Sequence, residues 1–360
     1  MIRLIEFLIA IALVVVIFLV VGALLPSKRH VRNTTETSRP MPVVVDFVSG
    51  FKRFKDWAPF KANFVTSGPD IGVGAQVDYN STDPMVGSGT WKVKEIIPGE
   101  RVVMSVDNKD LGHDKTVVFK FKRVGNQKLT VEITEEYSVD YGWNLFGHYA
   151  GLYVTRSIGD PMKRGLQNLS TQLASIPKFD YTELPVAPKI VKIPAENLLY
   201  ASTKAKRANE DIQLAMTNEE KWLHQVMDKN DLEPAGPLRI VSTELGQNDY
   251  SFDVAIPVKK KGTTQAPDAP LPALDVKIDP TGGNPVKFVQ TAPGSAIMTT
   301  YQGHMAQLAG NREKMKAWAA VRAIPLGERP YETYNKGIAD SFTSDGDFVT
   351  YWPLKAADAK

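Results

Sequence analysis

GSAIMTTYQGHMAQLAGNREKMKAWAAVRAIPLGERPYETY, Gly294–Tyr334, with the closing run FVTYWPL, Phe348–Leu354, decides the fold of the C-terminal half. Ala296–Tyr301 is a short apolar and β-branched run that Gly303 ends. Met305, Leu308, Met315, Trp318 and Ala319 then recur at the three-, four- and seven-residue spacing of one helix face. Pro325 and Gly327 stop that helix. Tyr331–Tyr334 and Phe348–Leu354 read as strands, the second closing at Pro353.

The same order occurs once before. Asn197–Thr203 reads as a strand, and Glu210–Met227 as a helix with Ile212, Ala215, Met216, Trp222, Leu223 and Val226 on one side. Gly236 and Pro237 turn the chain into strands Leu238–Glu244 and Tyr250–Val258. FDVAIPV, Phe252–Val258, superposes on FVTYWPL without a gap, Phe on Phe and Pro on Pro. One strand–helix–strand–strand unit cannot cover its own sheet, so two of them pack together and leave a groove. In this alignment Glu332 has no carboxylate counterpart, because Val241 falls near its position. Glu332 and Tyr334 share one face of their strand. Two readings of Glu332 follow: a single charge at one end of a pseudo-symmetric groove, or a solvent-face residue paired with Arg329 or Lys336.

The series Tyr301-Gln302-Gly303, Trp318, Gly327-x-x-Pro330-x-Glu332-x-Tyr334 and Tyr351-Trp352-Pro353-Leu354 resembles the GyrI-like small-molecule-binding family over roughly residues 195–356. The resemblance implies a ligand site with Glu332 at the base of an aromatic-walled pocket that meets cations. Tyr301, Trp318, Tyr334 and Trp352 would supply the rings. A carboxylate out of water costs several kcal/mol unless it is paired, and a lipophilic cation pairs it while stacking on rings for roughly 0.5–2 kcal/mol more. Some members of the family hydrolyse strained electrophiles with a Tyr–Glu pair, and Tyr301 or Tyr334 with Glu332 is the matching combination here. Trp222 and Trp318 hold matching helix positions, which core packing also explains.

The first half is α+β. His30–Arg39 alternates as a strand, and Met41–Phe54 reads as a helix with Pro42 in its first turn. Strands follow at Gly72–Tyr79, Gly89–Ile97, Val102–Asp107, Lys115–Arg123 and Lys128–Val139, separated by Pro98-Gly99, Asp107-Asn108 and Gly125-Asn126. Leu152–Ile176 is helical, with Ile158, Met162, Leu166, Leu169 and Leu173 three and four apart. Glu132, Glu135 and Glu136 on the last strand read as a solvated face. Leu25-Pro26-Ser27 running into a first strand, the Pro42 helix with Asp56-Trp57, and Gly89-x-Trp91 resemble the SRPBCC group over about residues 28–176. That resemblance implies a helix-grip domain, a curved antiparallel sheet around a long last helix, enclosing an apolar pocket.

Phe7–Leu25 is an unbroken apolar run of 19 residues. As a helix it spans about 28 Å, close to the hydrocarbon thickness of a bilayer. A cleaved signal peptide is the competing reading, but the run exceeds the usual 7–15-residue core and no small-x-small site precedes Lys28-Arg29-His30. The expectation is a single-pass anchor crossing the membrane through residues 4–25. Lys28, Arg29, Arg32 and Arg39 follow it and favour a cytoplasmic body.

The expected order is anchor (1–27), helix-grip domain (28–176), Pro-rich linker (177–196) and GyrI-like domain (197–356). The last holds repeats at 197–258 and 285–354 joined by 259–284, with a frayed tail beyond Leu354. The chain has no cysteine, which excludes thiol catalysis, disulfides and cysteine-ligated metals. Its five histidines are scattered, with no metal-ligand spacing, and no phosphate-binding glycine loop is present. A net charge of +3 without a basic run gives no nucleic-acid surface. No cofactor or metal is expected. The leading function is non-catalytic binding of hydrophobic or cationic small molecules, to sequester or sense them. The alternatives are a hydrolase or cyclase using Glu332 and a tyrosine, and a tethered scaffold with closed pockets.

Overall fold

The computed structural model describes residues 2–264, 270–278 and 285–355. The tail expected to fray beyond Leu354 falls, from residue 356 on, outside the described residues. The chain divides into two compact units, one running through Asp180 with Ala320–Ala323, the other holding Tyr181–Ala319 and the residues from Ile324 on.

The first unit begins with helix α1 (Ile2–Leu24) and strand β1 (Lys28–Thr37), followed by helices α2 (Met41–Ser49) and α3 (Phe54–Trp57). Six strands come next: β2 (Asn63–Ser67), β3 (Gln76–Asn80), β4 (Ser88–Ile97), β5 (Arg101–Asn108), β6 (His113–Val124) and β7 (Thr130–Asp140). Short helix α4 (Leu145–Ala150) and long helix α5 (Asp160–Ala174) close the unit. The sheet is antiparallel throughout in the order β1-β7-β6-β5-β4-β3-β2, so successive hairpins run from β2 to β7 and β1 joins at the β7 edge. α5 buries Met162, Leu166, Leu169 and Leu173 at steps of four, three and four. Arg39, just past β1, donates to the Leu173 and Ala174 carbonyls at the end of α5, a cation where the helix leaves acceptors unmatched.

Two expected boundaries move. The helix read as Met41–Phe54 breaks at Gly50, which is extended (φ −114°, ψ 126°). A Cβ there would stand 2.9 Å from Ile71 Cγ1, so the close approach of that loop requires glycine. The strand read as Gly72–Tyr79 starts only at Gln76, whereas the helix read as Leu152–Ile176 is helical from Gly151 to Ala174, passing through a π turn at Thr155–Gly159. The short strand β2 carried no alternation strong enough to read. The α+β class holds in both units.

The second unit is one nine-stranded sheet with its helices on one face. Its elements are β8 (Lys189–Ile193), β9 (Asn197–Lys206), α6 (Asn209–Lys229), β10 (Leu232–Pro234), β11 (Arg239–Leu245), β12 (Asp249–Lys260), β13 (Val286–Gln290), β14 (Gly294–Gln302), α7 (Leu308–Val321), β15 (Tyr331–Tyr334), α8 (Gly337–Ser341) and β16 (Asp347–Pro353). The order β13-β9-β12-β11-β15-β16-β14-β8 is a palindrome of two strand–helix–strand–strand units, with β10 paired to β12. β11 and β15 meet antiparallel at the centre, and β13 and β8 extend the two edges equally. α6 turns Met216, Leu223, Val226 and Met227 to this sheet, into one core with Leu199, Phe252, Val254, Leu308, Tyr334 and Phe348.

The stretch read as a linker, 177–196, is only partly one. Lys189–Ile193, KIVKI, pairs with β14 as an edge strand. Of the joining stretch 259–284, β12 takes Lys259 and Lys260, and Leu274, Val276 and Ile278 pack on the core. Residues 265–269 and 279–284 lie outside the described residues.

Candidate functional site

The centre of the second sheet is a single row of six side chains. Register places Ala201 beside Val254, Val254 beside Ile240, Ile240 beside Glu332, Glu332 beside Thr350 and Thr350 beside Thr299. All six are wholly buried. The pseudo-twofold axis passes between Ile240 and Glu332, which makes Ile240 the counterpart of Glu332, Val254 of Thr350 and Ala201 of Thr299. The sequence alignment put Val241 near Glu332. The register shifts that by one residue, which is a change of sheet face. The first repeat therefore crosses the core with Ala, Val and Ile, and the second crosses the same core with Glu, Thr and Thr.

Glu332 is neither exposed nor paired with Arg329 or Lys336. Arg329 pairs instead with Asp253, and reaches Thr243. The partner of Glu332 is Arg312 of α7, whose Nε donates to Oε1 at 2.8 Å. Arg312 lies one helical turn after Leu308 and just before Met315, on the stripe that α7 buries. Burial pushes the Glu332 carboxyl up and Arg312 opposes that push. Burial alone would lower Arg312, but Glu332, Tyr250 and Tyr334 outweigh it and keep the guanidinium charged. The second oxygen, Oε2, has no hydrogen-bond partner, and neither have the buried Thr350 Oγ1 beside it and Asn311 Nδ2 next to Arg312. Thr299 Oγ1, by contrast, donates to the Val186 carbonyl at 2.6 Å.

Aromatic rings flank the row. Tyr334 meets Phe348 edge-on at 5.0 Å, and Tyr301 stacks on the other side of Phe348 at 6.1 Å. Trp352 lies on the far side of the Glu332 row and donates its indole N–H to the Gly327 carbonyl at 2.8 Å. The strand residues Tyr301, Glu332, Tyr334 and Trp352 thus share one face, and Trp318 is half-buried on α7. Tyr250, from the first repeat, enters the site with no sequence signal beyond its place at the start of a strand. Its buried hydroxyl lies 2.9 Å from Ser242 Oγ and also interacts with Arg312. Burial, Tyr250 and Glu332 raise the Tyr334 phenol well above its usual range.

The first unit holds a second buried acid. Glu135, expected on a solvated face, is 2% exposed. Val131, Ile133, Tyr137 and Val139 alternate with it on the inner face of β7, and strand period decides against charge. Its neighbour across the sheet is Phe119, whose ring meets buried Trp57 edge-on at 5.9 Å. Glu135 Oε2 and Trp57 Nε1 both lack partners, and burial pushes the Glu135 carboxyl up to about 8.

No protein-family model matches the chain, and no curated protein matches it. Among solved structures, the C-terminal domain of EcmrR overlaps 47% of this chain and 98% of its own at 15% identity and TM-score 0.36. A protein from Nitrosospira multiformis covers 41% of this chain and 97% of its own at 16% identity and TM-score 0.32. One from Thermobifida fusca covers 40% and 93% at 16% identity and TM-score 0.33. Overlaps this loose do not decide a fold or a function.

Proposed function

We propose that the chain is a single-pass membrane protein with an SRPBCC-like and a GyrI-like unit, and that the GyrI-like unit binds lipophilic cations at Glu332. One helix among the described residues, Arg3–Leu24, is long and apolar enough to cross a membrane. The basic residues after it favour a cytoplasmic body. The observation that carries the binding role is the asymmetric central row. A core that needed only packing would repeat Ala, Val and Ile, and this one instead holds a buried acid with an unmatched oxygen. Leaving such a group unsatisfied costs about 1–3 kcal/mol, a cost that concentrates at functional sites. In the ligand-free chain Arg312 supplies the cation. A ligand cation replaces it, with Tyr250, Tyr334 and Trp352 as the surrounding rings, and the chain sequesters or senses what it binds.

A second reading, a scaffold with a closed core, draws support from the same Arg312–Glu332 contact, which fills the place of the ligand cation. Thermal unfolding of wild type, Arg312→Ala and Glu332→Gln with tetraphenylphosphonium, a fatty acid and a neutral aromatic separates the two. Ligand at a hundredfold over its dissociation constant stabilises by about 2.7 kcal/mol. The binding reading expects a shift with the cation, larger in Arg312→Ala and lost in Glu332→Gln. No shift in any variant overturns it in favour of the closed core.

A further inference from the structure

The segment between β7 and α5 exposes a run of large apolar side chains: Trp143 at 98%, Phe146 at 71%, Leu152 at 52% and Tyr153 at 67%. It does not hang free. Tyr149 donates its hydroxyl to the Phe18 carbonyl at 2.8 Å and stacks on the Phe18 ring at 4.6 Å, and Phe146 meets the same ring at 5.6 Å. His148 lies between two carbonyls, its Nδ1 2.7 Å from the Gly22 oxygen and its Nε2 2.8 Å from the Gly142 oxygen, and the single N–H of the neutral ring donates to one of them. The Gly22 carbonyl needs that contact, because the residue four positions on is Pro26, which has no N–H to give it. The Asn144 side chain accepts from Gly147 N at 3.1 Å and caps α4.

Phe18 lies six residues inside the end of α1, a depth of about 9 Å at 1.5 Å per residue. Whatever surrounds the last two turns of α1 also surrounds Tyr149 and Phe146. Three features suit that place to lipid rather than water. The exposed side chains are Trp, Phe, Leu and Tyr, the types that populate the boundary of a bilayer. The polar groups that would otherwise be stranded there meet polar partners within the chain, the Tyr149 hydroxyl on the Phe18 carbonyl and the Gly22 and Gly142 carbonyls on either side of the His148 ring, as a lipid environment demands. Of the charges that flank the segment, Asp140 before Trp143 is paired with Lys28 at 3.4 Å, and Arg29 beyond α1 and Arg156 beyond Tyr153 are basic, the sign attracted to phospholipid headgroups.

We infer that residues 143–153 are a second membrane contact, lying in the interfacial layer of a phospholipid bilayer beside the end of α1 and fixing the first unit against the membrane surface. This rests on the reading of α1 as a spanning helix. A spanning helix alone leaves the unit on a tether. Two contacts joined by the His148 and Tyr149 hydrogen bonds hold one orientation.

The chain has no cysteine, so single-cysteine variants of the full chain take one spin label each. Trp143→Cys, Phe146→Cys and Tyr153→Cys test the segment, with Val15→Cys in the middle of α1 and Met85→Cys, 85% exposed, as lipid and water references. All are exposed positions, and Phe146→Cys, which loses its ring contact with Phe18, leaves the Tyr149 and His148 contacts in place. In phospholipid nanodiscs, the ratio of relaxation by oxygen to relaxation by a water-soluble nickel chelate reports the surroundings. The expected result at 143 and 146 is a ratio several-fold above that at 85 and approaching that at 15. Labels at 143 and 146 that match 85, while 15 is in lipid, overturn the inference and leave the anchor standing. Low accessibility to both reagents means a protein covers the segment, and also overturns it. A label at 15 that matches 85 removes the spanning helix itself, and the inference with it.

Discussion

Arg312 Nε stands 2.8 Å from Glu332 Oε1, while Glu332 Oε2 has no hydrogen-bond partner. The pair is buried at the pseudo-symmetry axis of the second unit, opposite Ile240. Removing one member strands the other, so Arg312→Met costs about 3–5 kcal/mol. Arg312→Met with Glu332→Ile reproduces the apolar row of the first repeat and recovers most of that loss. Urea unfolding of the full chain in mild detergent gives the cycle. Losses that simply add would mean the two side chains are not coupled in the folded state.

Trp352 is held by its indole N–H on the Gly327 carbonyl, next to the bridge that ties Leu326 to Leu354. Trp352→Phe keeps an aromatic ring but leaves that carbonyl unmatched, at a cost of about 1 kcal/mol. Tyr301→Phe, at a half-buried residue with no hydrogen bond of this kind, costs less. Equal effects in the same unfolding assay would show that the Gly327 contact does not stabilise the folded chain.

The duplication, the α+β class and the core faces of the long helices are legible because each repeats a period over many residues. The edge strands β8 and β13 are not: five residues long, they owe their state to the exposed edges of β14 and β9 that they cover. Charge misled twice. Arg312 sits four residues after Leu308, on the stripe that marks α7 as amphipathic, yet an arginine there is discounted when only apolar residues are counted. Glu135 sits at the third place of an otherwise perfect inward alternation in β7. In both cases the period is correct and the residue type argues the other way, which is how a buried polar group reads in a sequence.

Glu135 gives the first unit a pH dependence of definite sign. Burial raises its folded-state pKa to about 8, against about 4.3 in an unfolded chain. The folded state holds the proton more tightly, so the stabilising contribution is complete below the unfolded value. It is lost as pH rises through the window up to about 8, at up to about 1.4 kcal/mol per pH unit. Glu135→Gln keeps the shape without the titration, so it flattens stability between pH 5 and 8 and unfolds at a higher urea concentration than wild type at pH 8. A wild type whose midpoint rises over that range would reverse the assignment.

Gly22 permits the approach of α4 to α1. A Cβ there would stand 3.1 Å from Tyr149 Cε2 and 3.4 Å from Leu145 Cδ2, so an alanine needs only small shifts and a leucine cannot be placed without moving α4. Displacement breaks the His148 contact with the Gly22 carbonyl, and Pro26 offers no replacement donor. Gly22→Leu therefore frees the amides of residues 143–153 to exchange at least tenfold faster, which corresponds to about 1.4 kcal/mol of lost protection, while those of α5 keep wild-type rates. Tyr149→Phe, which loses only the bond to Phe18, has a smaller effect in the same direction. Unchanged exchange in Gly22→Leu would mean that α4 is held by the rest of the first unit without α1, and that its place beside the last turns of α1 does not depend on their contact.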